Sequence, residues 1–412
     1  MTENQQSAKG RSVVPNFIRK IPGTIWTLSF VSLLMNSSST IISSLSPIFI
    51  IGLLGGNSLD LGFVRGITEA LAYVIKLCSG VLSDYIGRRK ILVLIGYAAA
   101  IFTKPIFMMA TSVFTYMSAQ TIERVANGLR DTPRDALVAD TSPKGMKGTC
   151  FGLRQGMASL GSTIGGIFCW QILSHLGDDE PSIRAVYIIA IIPIVLAVLL
   201  LCFGVKDAVG ITALKKRKGF PIKREDLREL GGEYWYFIFV SLVFMMSRFS
   251  ESFLVYRAQT LGLGVQYQAL ILTIMYLFYT PTVKLVGIWS DNADRRQFLA
   301  AGFIFMIVSC AILGSATEIW QVFLGVAVYG VHFGATQGTL YALVSDYSLK
   351  HLKGTTFGIF NVTCAIGMCS SSILMGYLWD RHSAEVAFYV NAGIAVVATF
   401  FLLFLKPSQR DS

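Results

Sequence analysis

Charge is what this sequence has least of. Only 14% of its residues are Asp, Glu, Lys or Arg, where an ordinary soluble domain carries about 25%. A soluble chain of 412 residues would need more surface charge than that to stay dispersed. Histidine is scarce, at 4, and the 7 cysteines (78, 150, 169, 202, 310, 364 and 369) lie mostly inside apolar runs without metal-ligand spacing. They read as small buried hydrophobes, so no metal is expected and no cofactor beyond a proton gradient as energy source. The sequence has no G-x-S-x-G and no H-E-x-x-H, which argues against an intramembrane hydrolase, and no P-loop, which argues against an ATP-driven pump. Its N-terminus is polar to Lys20 with no short apolar core before a cleavage site, so no removable signal peptide is expected.

What is present is apolar length. Hydrophobic residues make up 53%, and runs of roughly 20, enough to cross a hydrocarbon core about 30 Å thick, repeat along the chain. Gly 38 and Phe 28 suit helices that pack closely on one face and meet lipid on another. The chain is therefore expected to be an all-α, multi-pass membrane protein. Its net charge of +11 tempts a nucleic-acid reading, but the basic residues that fall in loops cluster on one side, with only Arg184 and Arg381 assigned to the other. That is the positive-inside bias, and it places both termini in the cytoplasm. Lys215-Lys216-Arg217-Lys218 then reads as a topology signal touching lipid headgroups, with no nucleic acid as partner.

Twelve transmembrane segments are expected in two six-helix bundles. A cytoplasmic tail (1–20) precedes an N-terminal bundle (21–205). A charged linker (206–233), long enough for a short amphipathic surface helix, leads to a C-terminal bundle (234–412). The halves repeat: Gly80-Val-Leu-Ser-Asp84 answers Gly287-Ile-Trp-Ser-Asp291, Asp135-Ala-Leu-Val-Ala-Asp140 answers Tyr341-Ala-Leu-Val-Ser-Asp346, and Gly148-Thr-Cys-Phe-Gly152 answers Gly354-Thr-Thr-Phe-Gly358, all at an offset of 206–207 residues. Such duplications build a site at the interface of two halves.

The run Gly80-Val-Leu-Ser-Asp84-Tyr-Ile-Gly87-Arg88-Arg89-Lys90 resembles the loop between helices 2 and 3 of the major facilitator superfamily, and Gly287 to Arg296 resembles its echo between helices 8 and 9. Arg124-Val-Ala-Asn-Gly128-Leu-Arg130-Asp-Thr-Pro133-Arg134-Asp135 and Phe249-Ser-Glu251-Ser-Phe-Leu-Val-Tyr-Arg257-Ala-Gln259 are similar to the helix 4 and helix 7 signatures of a bacterial branch described mostly as exporters. The resemblance implies a secondary transporter in the cytoplasmic (inner) membrane. The chain departs from that branch at Asn36, Thr40 and Gln337, where acidic residues are usual, and at Arg65 and Arg248, where an acid and an amide are. Ser162 also follows Gly161 where the antiporter-type glycine motif has proline.

An ionisable residue at bilayer depth costs roughly 2.5–3.5 kcal/mol on insertion scales and is a functional candidate by default. Arg65, Glu69 and Lys76 share one helical face, as do Arg248 and Glu251. Eight deep cations (Arg65, Lys76, Lys104, Arg124, Arg154, Arg248, Arg257, Lys284) face three deep acids (Glu69, Glu123, Glu251), and the excess should attract a carboxylate or phosphate. Snorkelling or closed structural pairs are equally good readings for Lys104, Arg154 and Lys284. Asn36, Ser38, Tyr276, Tyr279, Tyr329 and Gln337 are expected to line the cavity beside Arg65, Arg124 and Arg248, with interhelical hydrogen bonding as the rival for each polar one.

For proton coupling the candidates are Glu69, Glu123 and Glu251, with His332, which is as readily a packing residue. Asp84, Arg88, Arg134, Asp135, Asp291 and Arg295 are expected to form a conformational latch. The expected activity is proton-coupled transport of a small, anionic organic solute by a monomer, with protons and lipids as partners and export favoured. Import of an organic acid or a metal-chelator complex (a siderophore, for instance), or a non-transporting sensor on the same fold, are the alternatives. An enzyme is not expected.

Overall fold

The computed structural model describes residues 21–86, 89–143, 146–205, 229–290, 293–349 and 352–406, without the side chains of 80–86, 147, 353 and 354. Among them the chain is helical and contains no strand. In order come α1 (Gly23–Pro47), which runs on as a π-helical stretch (Ile48–Leu53), α2 (Ser58–Ile86), α3 (Arg89–Met108), α4 (Val113–Thr141), α5 (Lys147–Leu176), α6 (Glu180–Ile189) and α7 (Ile191–Gly204). The second half comprises α8 (Gly232–Met245), α9 (Ser252–Thr260), α10 (Val265–Ser290), α11 (Arg295–Ser315), α12 (Ile319–Asp346), α13 (Lys353–Arg381) and α14 (Ala384–Leu403). Side chains close several helix starts: Ser112 accepts from the Thr115 amide at α4, Ser383 from Val386 at α14, and Glu318 with Gln321 forms a capping box at α12.

By length and composition, nine spans among the described residues can cross a membrane, one of them α6 and α7 taken together. The other three of the twelve expected from the sequence fall short of that measure for two physical reasons. α2 and α4 have the length but are charge-rich. α8 and α9 are each too short, because the chain unwinds over Met246–Glu251. There the Ser250 hydroxyl accepts from the Ser252 amide, and the Ser250 amide donates to Ser372 on α13. These local bonds compete with the helical ladder.

The core is divided. One buried cluster joins both halves, bringing Phe49, Phe107, Tyr116 and Tyr187 together with Phe249, Phe253, Trp379 and Phe388. At the other end each half keeps its own core, around Tyr97, Leu137 and Leu201 in the first and Phe237, Phe303 and Leu343 in the second. The halves are therefore sealed at one end and parted at the other. The amphipathic helix expected in the linker falls mostly on 206–228, outside the described residues.

Backbone-to-backbone contact holds the sealed end. A Cβ at Gly62 of α2 would collide with the Ser372 carbonyl of α13, and one at Gly376 of α13 with the Ser58 carbonyl of α2. Gly161 and Gly165 press α5 onto α1 in the same way, against the Leu33 and Ser37 carbonyls. Gly165→Val is expected to destabilise the protein by about 3 kcal/mol, at the upper end of overpacking costs because backbone cannot yield. Gly156→Ala, on the same helix in open space, is expected to be neutral or slightly stabilising, by up to about 1 kcal/mol. Thermal unfolding in detergent distinguishes the two, and equal midpoints would contradict the close approach.

Candidate functional site

Between the parted halves lies a cavity of about 1260 Å³. Its mouth is lined by Arg134, Asp135, Arg154 and Thr355, and its depth by Ser43, Phe249 and Leu272, against the joint core. Seven basic side chains (Arg65, Lys76, Arg124, Arg130, Arg134, Arg154, Arg248) and four acidic ones (Glu69, Asp131, Asp135, Glu251) face it. The surplus positive charge read from the sequence is present, though its membership differs.

On the first half, α2 and α4 hold a shared cluster. Arg124 pairs with Glu69 at 2.7 Å, and Arg65 reaches the same oxygen at 3.7 Å. Gln120, its amide oxygen turned toward them, accepts from Arg65 at 3.3 Å and Arg124 at 3.2 Å. Arg65 also donates through Nε to Ser250 in the unwound stretch of the other half, at 3.1 Å. One carboxylate thus serves two guanidinium groups that are largely removed from water.

On the second half the expected Arg248–Glu251 pair is not formed. The unwinding at Met246–Glu251 turns the two side chains apart. Glu251 accepts from the Tyr276 hydroxyl at 3.3 Å. Arg248 donates to Gln337 at 2.9 Å and lies flat over the Phe333 ring, 4.1 Å from its centroid. The Tyr329 hydroxyl donates to the Phe249 carbonyl and touches Arg248. Among the described residues no carboxylate lies within ion-pair distance of Arg248, so most of its donors remain for a ligand.

Nearer the mouth, Asp131 takes Lys76 at 3.1 Å and Arg134 at 3.2 Å, while Asp135 takes Arg134 at 3.2 Å and Arg154 at 3.5 Å. Arg130 stacks on Tyr97 at 4.5 Å, and its Nε and Nη1 have no hydrogen-bond partner among the described residues. Asp131 is a member of the site beyond the residues expected from the sequence, although it stands in the Arg130 to Asp135 run. Its spacing, four residues before Asp135 on the face of Arg134, was the available signal.

Other candidates lie elsewhere. Lys104 and Glu123 form a pair at 2.8 Å, buried between α3 and α4 behind the cavity wall, which removes both from the free charges. Arg257 donates to the Leu313, Gly314 and Ala316 carbonyls at the end of α11, capping that helix and its dipole. Lys284 is exposed on α10, away from the cavity. His332 is fully buried, with Nδ1 2.9 Å from the Gly302 carbonyl and its ring edge-on to Phe244 and Tyr329; it packs and does not line the cavity. Tyr279 sits behind the lining, where Gln155 donates to its hydroxyl at 3.3 Å, and Ser38 is buried on the Ala190 carbonyl. Asn36, Tyr276, Tyr329 and Gln337 line the cavity as expected.

Of the expected latch, Arg88, Asp291 and the Asp84 side chain lie outside the described residues. Arg134 pairs within its own helix, and Arg295 with Asp346 of its own half at 2.5 Å. The duplication appears again here, since Arg89 and Asp140 make the equivalent pair in the first half. The arrangement can hold an anion between a guanidinium of each half, with a carboxylate beside one of them.

The family model of the Major Facilitator Superfamily matches residues 25–264 and 236–412. An MFS-type transporter of Methanocaldococcus jannaschii is 29% identical over 396 residues, covering 94% of this chain and 96% of that one. A D-xylose-proton symporter structure shares the fold at a TM-score of 0.74 and 15% identity, over 95% of this chain and 99% of that one. The structure of a human organic anion transporter, MFSD10 (TETRAN), does so at 0.63 and 15%, over 92% and 99%.

Proposed function

Because the chain belongs to the Major Facilitator Superfamily and is a secondary carrier, we propose that its cargo is a small organic anion, moved across the cytoplasmic membrane by alternating access and coupled to protons. The observation that carries this reading is Arg248, a cavity-facing guanidinium whose partners are an amide, a hydroxyl and an aromatic face. Carboxylates and phosphates match its fork bidentately. Arg124 on the opposite wall offers a second grip, so a bound anion would bridge the halves and favour their closing around it. The fold carries a proton symporter and an organic anion transporter among its solved examples, and neither property is foreign to it.

Coupling follows from Glu69. In this open state it pairs with Arg124 and, at longer range, with Arg65. An anion that takes over Arg124 leaves Glu69 with only the longer contact to Arg65, and a proton can take the vacated place on the carboxylate. Substrate and proton would then be linked through competition for one guanidinium. Glu69→Gln is expected to abolish accumulation driven by a pH gradient in proteoliposomes. Downhill flux of the same acid should stay within about threefold of wild type, since Gln still accepts from arginine. Gradient-driven accumulation that survives in Glu69→Gln would rule out coupling through this residue.

A further inference from the structure

The two walls of the cavity differ in chemistry, and the difference bears on what the anion carries besides its charge. The first half presents a hydroxyl and amide stripe. Asn36, Ser39, Thr40 and Ser43 recur at one-turn spacing on α1 and all line the cavity. Asn36 donates back to the Ser32 carbonyl, whereas Ser39, Thr40 and Ser43 have no hydrogen-bond partner among the described residues. Three hydroxyls are thus available to a solute.

The second half presents rings. Tyr276, Phe333, Tyr341 and Phe357 line the cavity and are all only partly buried. The two tyrosine hydroxyls are already engaged, with Glu251 and Asn361. What these side chains offer is therefore aromatic surface. Phe357 lies nearly parallel to Tyr341, at 15° between planes, so the wall is flat in part. Among the described residues, Tyr73 is the one aromatic residue of the first half that lines the cavity. Arg65 and Arg124 belong to the first half's side of the cavity and Arg248 to the second's.

From this asymmetry we infer that the preferred cargo is an aromatic or heteroaromatic acid whose ring also bears hydroxyl-type substituents. The acid group meets Arg248 and Arg124, the ring face lies on the second half, and the polar ring edge turns toward α1. Ring-on-ring contact adds to area burial, and guanidinium stacked on Phe333 keeps its donor edge open to the acid. The inference rests on the anion reading above and narrows it.

The test is flux of four probes into proteoliposomes: 4-hydroxybenzoate, 4-hydroxycyclohexanecarboxylate, benzoate and 4-hydroxybenzyl alcohol. 4-Hydroxybenzoate is expected to move about five- to tenfold faster than its saturated counterpart, faster than benzoate, and far faster than the alcohol. Tyr276→Leu and Phe357→Leu, two separate variants in case one folds poorly, should each bring the first two fluxes together. Equal carriage of the aromatic and saturated acids by wild type, or a ratio that neither variant alters, overturns the aromatic preference and leaves the anion reading standing. Carriage of the alcohol alone overturns the anion reading, and carriage of none of the four overturns both.

Discussion

Arg248→Ala is expected to reduce organic-acid flux in proteoliposomes by about 100-fold or more, the loss associated with removing one partner of a desolvated charge pair. The fold should survive, because the side chain's protein contacts are one hydrogen bond to Gln337, a touch of the Tyr329 hydroxyl and one stacked ring, and Gln337 can turn to the water of the cavity. The unfolding free energy is expected to change by about 1 kcal/mol or less. Arg248→Lys keeps the charge but loses the planar fork and much of the stack on Phe333, and should sit between, down about tenfold. Flux and thermal unfolding measured on the same preparations check this. Full transport by Arg248→Ala would remove the anchor of the proposed anion site.

The second large effect concerns stability. Lys104 and Glu123 are both buried, and their ammonium and carboxylate are 2.8 Å apart, with Thr103 also beside the carboxylate. Removing either partner strands a charge in a low-dielectric interior. Lys104→Met and Glu123→Leu are each expected to cost about 3–5 kcal/mol. The double replacement leaves no charge to strand and is expected to lie within about 2 kcal/mol of wild type, on either side. Transport by the double variant should persist, because the pair stands behind the cavity wall and meets no solute. A double variant as damaged as the singles would show that the pair acts through more than charge balance.

Much of this was legible in the sequence, and the limits have physical causes. The membrane class and the duplication rest on apolar run length and a fixed offset, both local properties of the chain, and they carry over directly. Arg65, Glu69, Arg124 and Arg248 were found because charge in an apolar run is conspicuous. Their pairings were not, since i,i+3 and i,i+4 spacing assumes an unbroken helix. The rule holds on α2, where Arg65 does reach Glu69. It fails at Met246–Glu251, where hydroxyl-to-backbone bonds unwind the chain and send Arg248 and Glu251 to different helices. His332, Glu123 and Arg257 show a second limit: periodicity places a residue on a face but does not say whether that face meets the cavity, a neighbouring helix or a helix end. Tertiary packing decides that, and so it decided which of the eight cations remain for a ligand.

The surplus positive charge of the cavity can be measured without knowing the cargo. Cys78 lines the cavity and is exposed. In a detergent-solubilised variant with the other six cysteines replaced, its reaction with a negatively charged methanethiosulfonate is compared with that of a positively charged one. Both rates are taken relative to a small free thiol in the same buffer. A cleft of net positive charge concentrates anions, so the normalised rate ratio should favour the anionic reagent by about tenfold or more at low salt and fall as salt is added. A ratio equal to that of the free thiol, or one favouring the cationic reagent, would contradict a cavity built to receive an anion.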